Sequence, residues 1–278
     1  MRWLQIARKD FTDARRERQL YYLVGLLGLM GLAIGYVIGQ TPNIATEGTT
    51  AFVLLGVFGF LAPITALTIS QADVVGKRTT GELSVLLSLP FSRRSIVAGS
   101  YTGRMAVMTA ALLPAFVFAP LVATLRGAPI DPTALVSAFL LILVLSLIFI
   151  AIGIGISTFT KSTTVSAGGS FGVFLLFVLQ LWTLIPKGVR FVINGLSFPT
   201  GPQPEWAQVF EQLSPFAGLR NLAFPVLPDL VGNFPLAPGR IGENAAWYQE
   251  PLFAGIVVLA WIALPLLIGY YRFQTVDL

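Results

Sequence analysis

Residues 77–96 read KRTTGELSVLLSLPFSRRSI, a leucine-rich run with a basic pair on each side. Thr79, followed three residues later by Glu82, is typical of a helix N-cap with a capping box. The apolar face of this helix consists of Leu83, Leu86 and Leu87. The helix ends at Pro90. About ten residues make a helix of roughly 15 Å, half the thickness of a bilayer core. The run therefore predicts a short amphipathic helix that cannot cross a membrane.

The composition of the whole chain is that of a membrane protein. Of its 278 residues, 55% are apolar and only 11% are charged, whereas soluble domains carry about 25% charged residues. The sequence has neither cysteine nor histidine, which excludes disulfides, thiolate or imidazole metal ligands and a histidine base. Basic residues beside membrane spans explain the net charge of +5. No nucleic acid, metal site or enzymatic active site is therefore expected.

Runs of about 20 apolar residues are candidate membrane spans, and six occur along the chain. They cover residues 20–39, 51–71, 96–125, 133–158, 163–185 and 252–271. The sequence shows no repeat and no second soluble domain, so residues 1–278 are predicted to form one transmembrane domain. The expected fold class is an all-α membrane protein with six transmembrane helices.

The distribution of basic residues predicts the orientation, because cytoplasmic loops are rich in lysine and arginine. Residues 1–19 are expected to form a cytoplasmic amphipathic helix, and residues 76–94 a cytoplasmic loop that contains the short helix. Residues 186–250 are expected outside, with a short interfacial helix at 205–213, EWAQVFEQL. Both termini are then cytoplasmic, in a multi-pass protein of the cell membrane.

The pattern alone leaves two interpretations of the short helix in the 76–94 loop. It can lie against lipid headgroups, with Arg93 and Arg94 as ordinary basic anchors. Alternatively, it can be a docking helix whose exposed face fits a groove on a cytoplasmic partner and transmits that partner's motion.

The order GELSVLLSLPFSRRSIVAG resembles the signature of the ABC type-2 permeases, the membrane subunits of type V ABC exporters. The matching residues are Gly81, Leu86, Leu87, Pro90, Ser92, Arg93, Ile96 and Gly99. The basic N-terminal segment WLQIARKDFTDARRER resembles the connecting helix of that family, and LSPF at 213–216 also fits. Two positions depart from the pattern. Ser100 stands where the family has a lysine, with Arg104 one turn later, and Glu82 stands where threonine is more common.

The resemblance implies a permease subunit of an ATP-driven exporter, similar to permeases of copper-enzyme maturation and multidrug export systems. Its substrate is not identified by the sequence. ATP and magnesium would be held by a separate ATP-binding subunit, since GISTFTKS at 155–162 lacks the glycine that a phosphate loop needs before its lysine. No cofactor is therefore expected in this chain. The residues implied in docking the ATPase are Thr79, Gly81, Glu82, Leu83, Leu86, Leu87, Pro90, Arg93 and Arg94.

The alternative function is an ion-coupled secondary transporter or channel that needs no ATPase. Such proteins commonly use carboxylates inside the membrane, but the six predicted spans contain no aspartate or glutamate. Asp73 lies just beyond the second span, and Arg104 in the third span is expected to snorkel or to pair with it. Serines such as Ser146 and Ser157 are expected to bond carbonyls of their own helix.

Glycines four residues apart mark two candidate helix-packing faces. They are Gly31, Gly35 and Gly39 in the first span and Gly168 and Gly172 in the fifth. Such faces let two helices approach closely, either within one subunit or between two. The resemblance implies that two six-span halves meet through their first and fifth spans. The predicted partners are thus an ABC ATP-binding subunit, a second permease copy (homodimer or sister permease) and membrane lipid.

Overall fold

The computed structural model describes residues 2–89, 91–198, 200–232, 237 and 246–274. Regular secondary structure in these residues is entirely helical, so the predicted all-α class is confirmed. The first half of the chain forms α1 (Arg2–Arg16), α2 (Gln19–Ile38), α3 (Thr49–Ser70), α4 (Asp73–Thr79), α5 (Glu82–Ser88), α6 (Arg93–Leu125) and α7 (Pro132–Phe159). The second half forms α8 (Thr163–Val178), α9 (Leu184–Ile193), α10 (Glu205–Gln212), α11 (Pro215–Ala223), α12 (Pro228–Val231) and α13 (Pro251–Gln274).

Five stretches of helix in the described residues are long and apolar enough to cross a bilayer. They contain α2, α3 with α4, α6, α7 and α13. These helices match five of the six predicted spans, because each apolar run is bounded by polar residues or by a helix-ending turn. The protein is thus a multi-pass membrane protein.

The fifth span differs from the prediction. Residues 163–185 were expected as one helix, but α8 ends at Val178 and the following segment, Leu181–Ile193, turns away by 71°. Gln180 adopts the left-handed conformation, with φ of 55°. Trp182 stacks on Phe210 with ring centroids 4.4 Å apart and donates to its carbonyl. These contacts direct the chain sideways, so the bundle has a sixth span only as this broken pair.

Small residues bring α2 against α6 within one chain, and this corrects the first predicted dimer face. A Cβ added at Gly31 would lie 2.5 Å from the Cα of Ala115, and one at Gly35 would lie 2.3 Å from the carbonyl oxygen of Ala119. A Cβ added at Gly39 would lie 2.5 Å from the Cδ of Arg126, the residue that follows α6. The glycine face of α2 is therefore filled inside the subunit and is not open to a second copy.

The described part of the segment predicted as an external loop contains most of α9 and the helices α10, α11 and α12, and α10 matches the expected short helix. Helix α11 packs against α13 and α7 rather than lying on the surface. Its Phe216 is buried, with its ring 6.0 Å from that of Phe149 in α7. Arg220 of α11 is also buried and donates to the side-chain oxygens of Asn221 and Gln212. Burial lowers the pKa of Arg220 to about 10.

Candidate functional site

The α4–α5 junction does not have the predicted capping box. Thr79 is the last residue of α4, and its hydroxyl donates to the carbonyl of Gly76 at 3.0 Å. Gly81 precedes α5 with φ of 77°, a left-handed conformation that a glycine adopts without a Cβ clash. Glu82 is then the first residue of a seven-residue helix. Pro90 lies outside the described residues.

The apolar face of α5 is turned inward, which corrects two of the predicted docking residues. Leu83 and Leu86 are 1% and 6% exposed, so they fasten α5 to the bundle and cannot touch a partner. Leu87 is half-buried against the same core. The side chains turned outward are Ser84, Val85, Ser88 and Leu89. These four residues form the surface of α5 that a partner can contact, and this surface is called the outer face below.

A salt bridge ties α5 to the N-terminal helix. The ammonium of Lys9 lies 2.7 Å from a carboxylate oxygen of Glu82 and 2.9 Å from one of Asp13. Partial burial alone would lower the pKa of Lys9, but its hydrogen bonds to Glu82 and Asp13 outweigh that effect and raise it. Sequence reasoning placed Glu82 in a local cap; its actual partner is 73 residues away.

A buried charge cluster lies beneath this bridge, between α1, α4 and α6. The ammonium of Lys77 is 2.8 Å from a carboxylate oxygen of Asp10 and 2.7 Å from the hydroxyl oxygen of Ser100. Asp73, one turn earlier on α4, lies 3.4 Å from the same ammonium. Burial raises the pKa of Asp10 and the attraction of the Lys77 ammonium opposes that rise. An ammonium therefore lies beside Ser100, and α4 supplies it.

Arg104 completes the cluster from α6. Its Nη2 lies 2.8 Å from a carboxylate oxygen of Asp73, whose side chain is fully buried. The predicted pairing of Arg104 with Asp73 is present, and Asp73 accepts from both Lys77 and Arg104. Removing either partner of such a buried pair leaves an uncompensated charge, at a cost of about 3–5 kcal/mol. The cluster thus joins α4 to α6 through charges that depend on each other.

Two glycines on α6 seat α1 across it. A Cβ at Gly99 would lie 2.6 Å from the Cβ of Ile6, and one at Gly103 would lie 3.0 Å from the Cβ of Asp10. Ile6 is 2% exposed. The four-residue glycine spacing thus lets α1 lie close enough for Asp10 to reach Lys77.

The N-terminus of α4 is also fixed to α7. The hydroxyl of Ser157 accepts hydrogen bonds from the main-chain N–H groups of Val74 and Val75, both at 3.0 Å. It therefore satisfies two N-terminal donors of α4, and the expectation that Ser157 bonds its own helix is wrong. Ser146 does bond its own helix, at the carbonyl of Ile142.

The two arginines predicted for docking both contact α13, and their contact with an ATPase stays a prediction. Arg93 donates to the carbonyl of Phe273 and lies 5.2 Å from the centre of its ring. Arg94 lies 5.7 Å from the ring centre of Tyr270. Cation–π contacts of this kind anchor the end of α13 beside α6.

The second predicted dimer face is open. Gly168 and Gly172 on α8 are exposed, and a Cβ added at either would meet nothing within 4 Å. Val165 and Phe171 beside them are 60% and 56% exposed. The α8 face therefore stays a predicted contact for a second copy.

The short α5 helix and the membrane-spanning helices described above are accompanied by similarity to known transport proteins. The chain is a member of the ABC-2 transporter family: the pattern described as "ABC-2 family transporter protein" matches residues 4–278. It is similar to the "Probable ABC transporter permease protein NosY" of Stutzerimonas stutzeri, with 25% identity over 97% of this chain and 96% of the relative. A protein of the same name from Pseudomonas aeruginosa is 28% identical over 48% of this chain, a match that spans half the length of that relative. The protein is thus a membrane subunit of an ABC transporter.

Proposed function

We propose that this subunit is one half of an ATP-driven exporter, and that a separate ATP-binding subunit docks on the outer face of α5. Val85 is 62% exposed and Leu89 is 48% exposed, at positions one helical turn apart. Seven residues are too few to span a bilayer. A short helix with a buried inner face, and with two apolar side chains exposed beside two serines on its outer face, suits docking on a second protein.

The observation that carries the proposal is the bridge between Lys9 and Glu82. It joins α5 to α1, and the buried Asp10–Lys77 and Asp73–Arg104 pairs join α1, α4 and α6. A push on the outer face of α5 would move these helices as one body, because the buried pairs resist separation. Closure of two ATP-binding subunits would in this way reach the membrane spans.

Family membership and the distribution of basic residues support the remaining parts of the proposal. ATP and magnesium bind to the partner subunit, and both termini and α5 face the cytoplasm, as the basic residues predict. A second permease copy, identical or a sister chain, packs against Gly168 and Gly172 on α8. Family membership disfavours the ion-coupled transporter or channel, and the two buried carboxylates Asp10 and Asp73 are already paired with cations.

Purification in mild detergent from the native cells, followed by mass spectrometry, tests this proposal. We expect an ATP-binding subunit to copurify with the wild-type chain and to be lost with Val85→Asp. Ile44→Asp is the matched control, since Ile44 is 80% exposed in the loop between α2 and α3. Recovery of the ATPase with Val85→Asp at the wild-type level would overturn docking on α5.

A further inference from the structure

A long apolar groove runs along α13, away from the charge cluster. It has a volume of about 470 Å³, within the range of roughly 300–1,000 Å³ that is typical of small-molecule sites. Eight residues of α13 from Phe253 to Ile268 line it, at alternating intervals of three positions and one. Trp182 and Leu213 close its other side. The lining stripe on α13 is about 22 Å long, which exceeds one leaflet of a roughly 30 Å core.

No side chain in the groove offers a free polar group. Every lining residue is apolar except for two tryptophans, and both indole N–H groups are already engaged. Trp182 donates to the carbonyl of Phe210 at 2.8 Å, and Trp261 donates to the carbonyl of Leu213 at 2.7 Å. Water is therefore a poor occupant, because an ordered water needs two to four polar partners.

The smallest side chain that lines the groove is that of Ala260. It lies midway along the lining stripe of α13, one helical turn from Ile256 on one side and Leu264 on the other. Those two side chains are 59% and 53% exposed and form the rim. A second copy of the chain would need a small-residue face for close helix approach, and that face is on α8, at Gly168 and Gly172.

We propose that this groove is a specific site for one acyl chain of a membrane phospholipid. The site lies along a membrane-spanning helix, runs parallel to its axis and presents only apolar side chains, which are the properties that an extended acyl chain matches. Filling the groove removes exposed apolar surface of Ile256, Trp261 and Leu264 from contact with mobile lipid. The proposal concerns the lipid-facing perimeter and does not depend on ATPase docking.

Native mass spectrometry of the chain in detergent, loaded with dioleoyl phosphatidylcholine and freed of excess lipid, tests the site. Wild type should keep one phospholipid per chain. Ala260→Phe places a large ring midway along the groove and should reduce retention about tenfold. The matched control is Ala263→Phe, because Ala263 is exposed on the same helix but does not line the groove. It should retain lipid as wild type does.

Ile256→Ala tests the same contact without overpacking. It removes apolar rim surface that the acyl chain would cover, so retention should fall, but by less than in Ala260→Phe. Equal retention by Ala260→Phe and wild type would overturn the proposal, as would equal loss in Ala260→Phe and Ala263→Phe. Conversion of a dimer to monomers by Ala260→Phe, with lipid unchanged, would show that a second copy occupies the groove instead.

Discussion

The ammonium of Lys9 lies 2.7 Å from a carboxylate oxygen of Glu82, so the N-terminal helix holds the first residue of α5. The bridge is half-exposed, and an exposed ion pair contributes about 0.2–1 kcal/mol to stability. The bridge thus contributes little to stability, and it forms a direct polar link between α5 and α1.

Glu82→Gln should loosen α5 from α1 with little loss of stability. We expect the ATPase still to copurify and to hydrolyse ATP, while transport per ATP hydrolysed falls severalfold. The control is Asp13→Asn, which removes the other carboxylate on Lys9 but leaves the link to Glu82. The measurement is ATPase activity and transport in the same vesicles. Equal transport in Glu82→Gln and Asp13→Asn would contradict a role for the bridge in coupling.

Lys77→Met should destabilise the subunit strongly. It leaves Asp10 buried without its closest cation, and breaking such a pair costs about 3–5 kcal/mol. Thermal unfolding in detergent, followed by size-exclusion chromatography, should show a clearly lowered midpoint.

Ser100→Lys combined with Lys77→Met should recover part of that loss. The hydroxyl oxygen of Ser100 is 2.7 Å from the Lys77 ammonium and 3.1 Å from a carboxylate oxygen of Asp10, so a lysine at 100 starts beside Asp10 and reaches it if its longer side chain folds back. A double variant no more stable than Lys77→Met alone would show that Lys77 acts through something other than its charge at this place.

Much of the fold follows from the sequence, because apolar run length and basic loop residues are strong local signals. The bounds of α2, α3, α6, α7 and α13 lie within a few residues of the expected spans. The break after Val178 was missed because its cause is tertiary: Trp182 packs on Phe210, 28 positions later.

The site was harder to predict than the spans, because it too depends on contacts between residues that are distant in the sequence. The spacing of Leu83 and Leu86 shows that α5 is amphipathic, but not which face points outward. The glycines of α2 mark a packing face, but Ala115 and Ala119 of the same chain fill it. Pairing of Asp73 with Arg104 was foreseeable, since a charge inside a span needs a nearby partner.

Val85→Asp and Leu86→Asp should separate docking from folding. Val85 is exposed, so its charge should abolish ATPase binding while the midpoint of thermal unfolding stays unchanged. Leu86 is 6% exposed, so a buried unpaired carboxylate there should lower the midpoint itself. The two variants are compared by thermal unfolding and copurification. A destabilised Val85→Asp chain would mean that α5 has no free outer face.

Gly172→Cys should form a disulfide-linked pair of chains on mild oxidation, because Gly172 is exposed on α8. Gly35→Cys should not, because its side chain would enter the main chain of α6 at Ala119. Leu140→Cys on α7, at a 53% exposed position, is the comparison for random collision. Efficient linkage through Leu140 but not Gly172 would place the second copy on a different face.

Gly81→Ala should distort the turn that sets the direction of α5. The φ of Gly81 is 77°, and an L-residue in this left-handed region costs about 1–2 kcal/mol. No neighbour lies within 4 Å of an added Cβ, so the cost is conformational and not steric crowding.

Gly76→Ala is the matched control. Gly76 lies inside α4, five residues earlier, and an added Cβ there also meets no neighbour, so the substitution should be neutral or stabilising by up to about 1 kcal/mol. The midpoint of thermal unfolding and the transport per ATP hydrolysed should both fall in Gly81→Ala. Neither should fall in Gly76→Ala. If Gly81→Ala keeps full coupling, the direction of α5 does not depend on this turn, and the Lys9–Glu82 bridge must hold the helix in place without it.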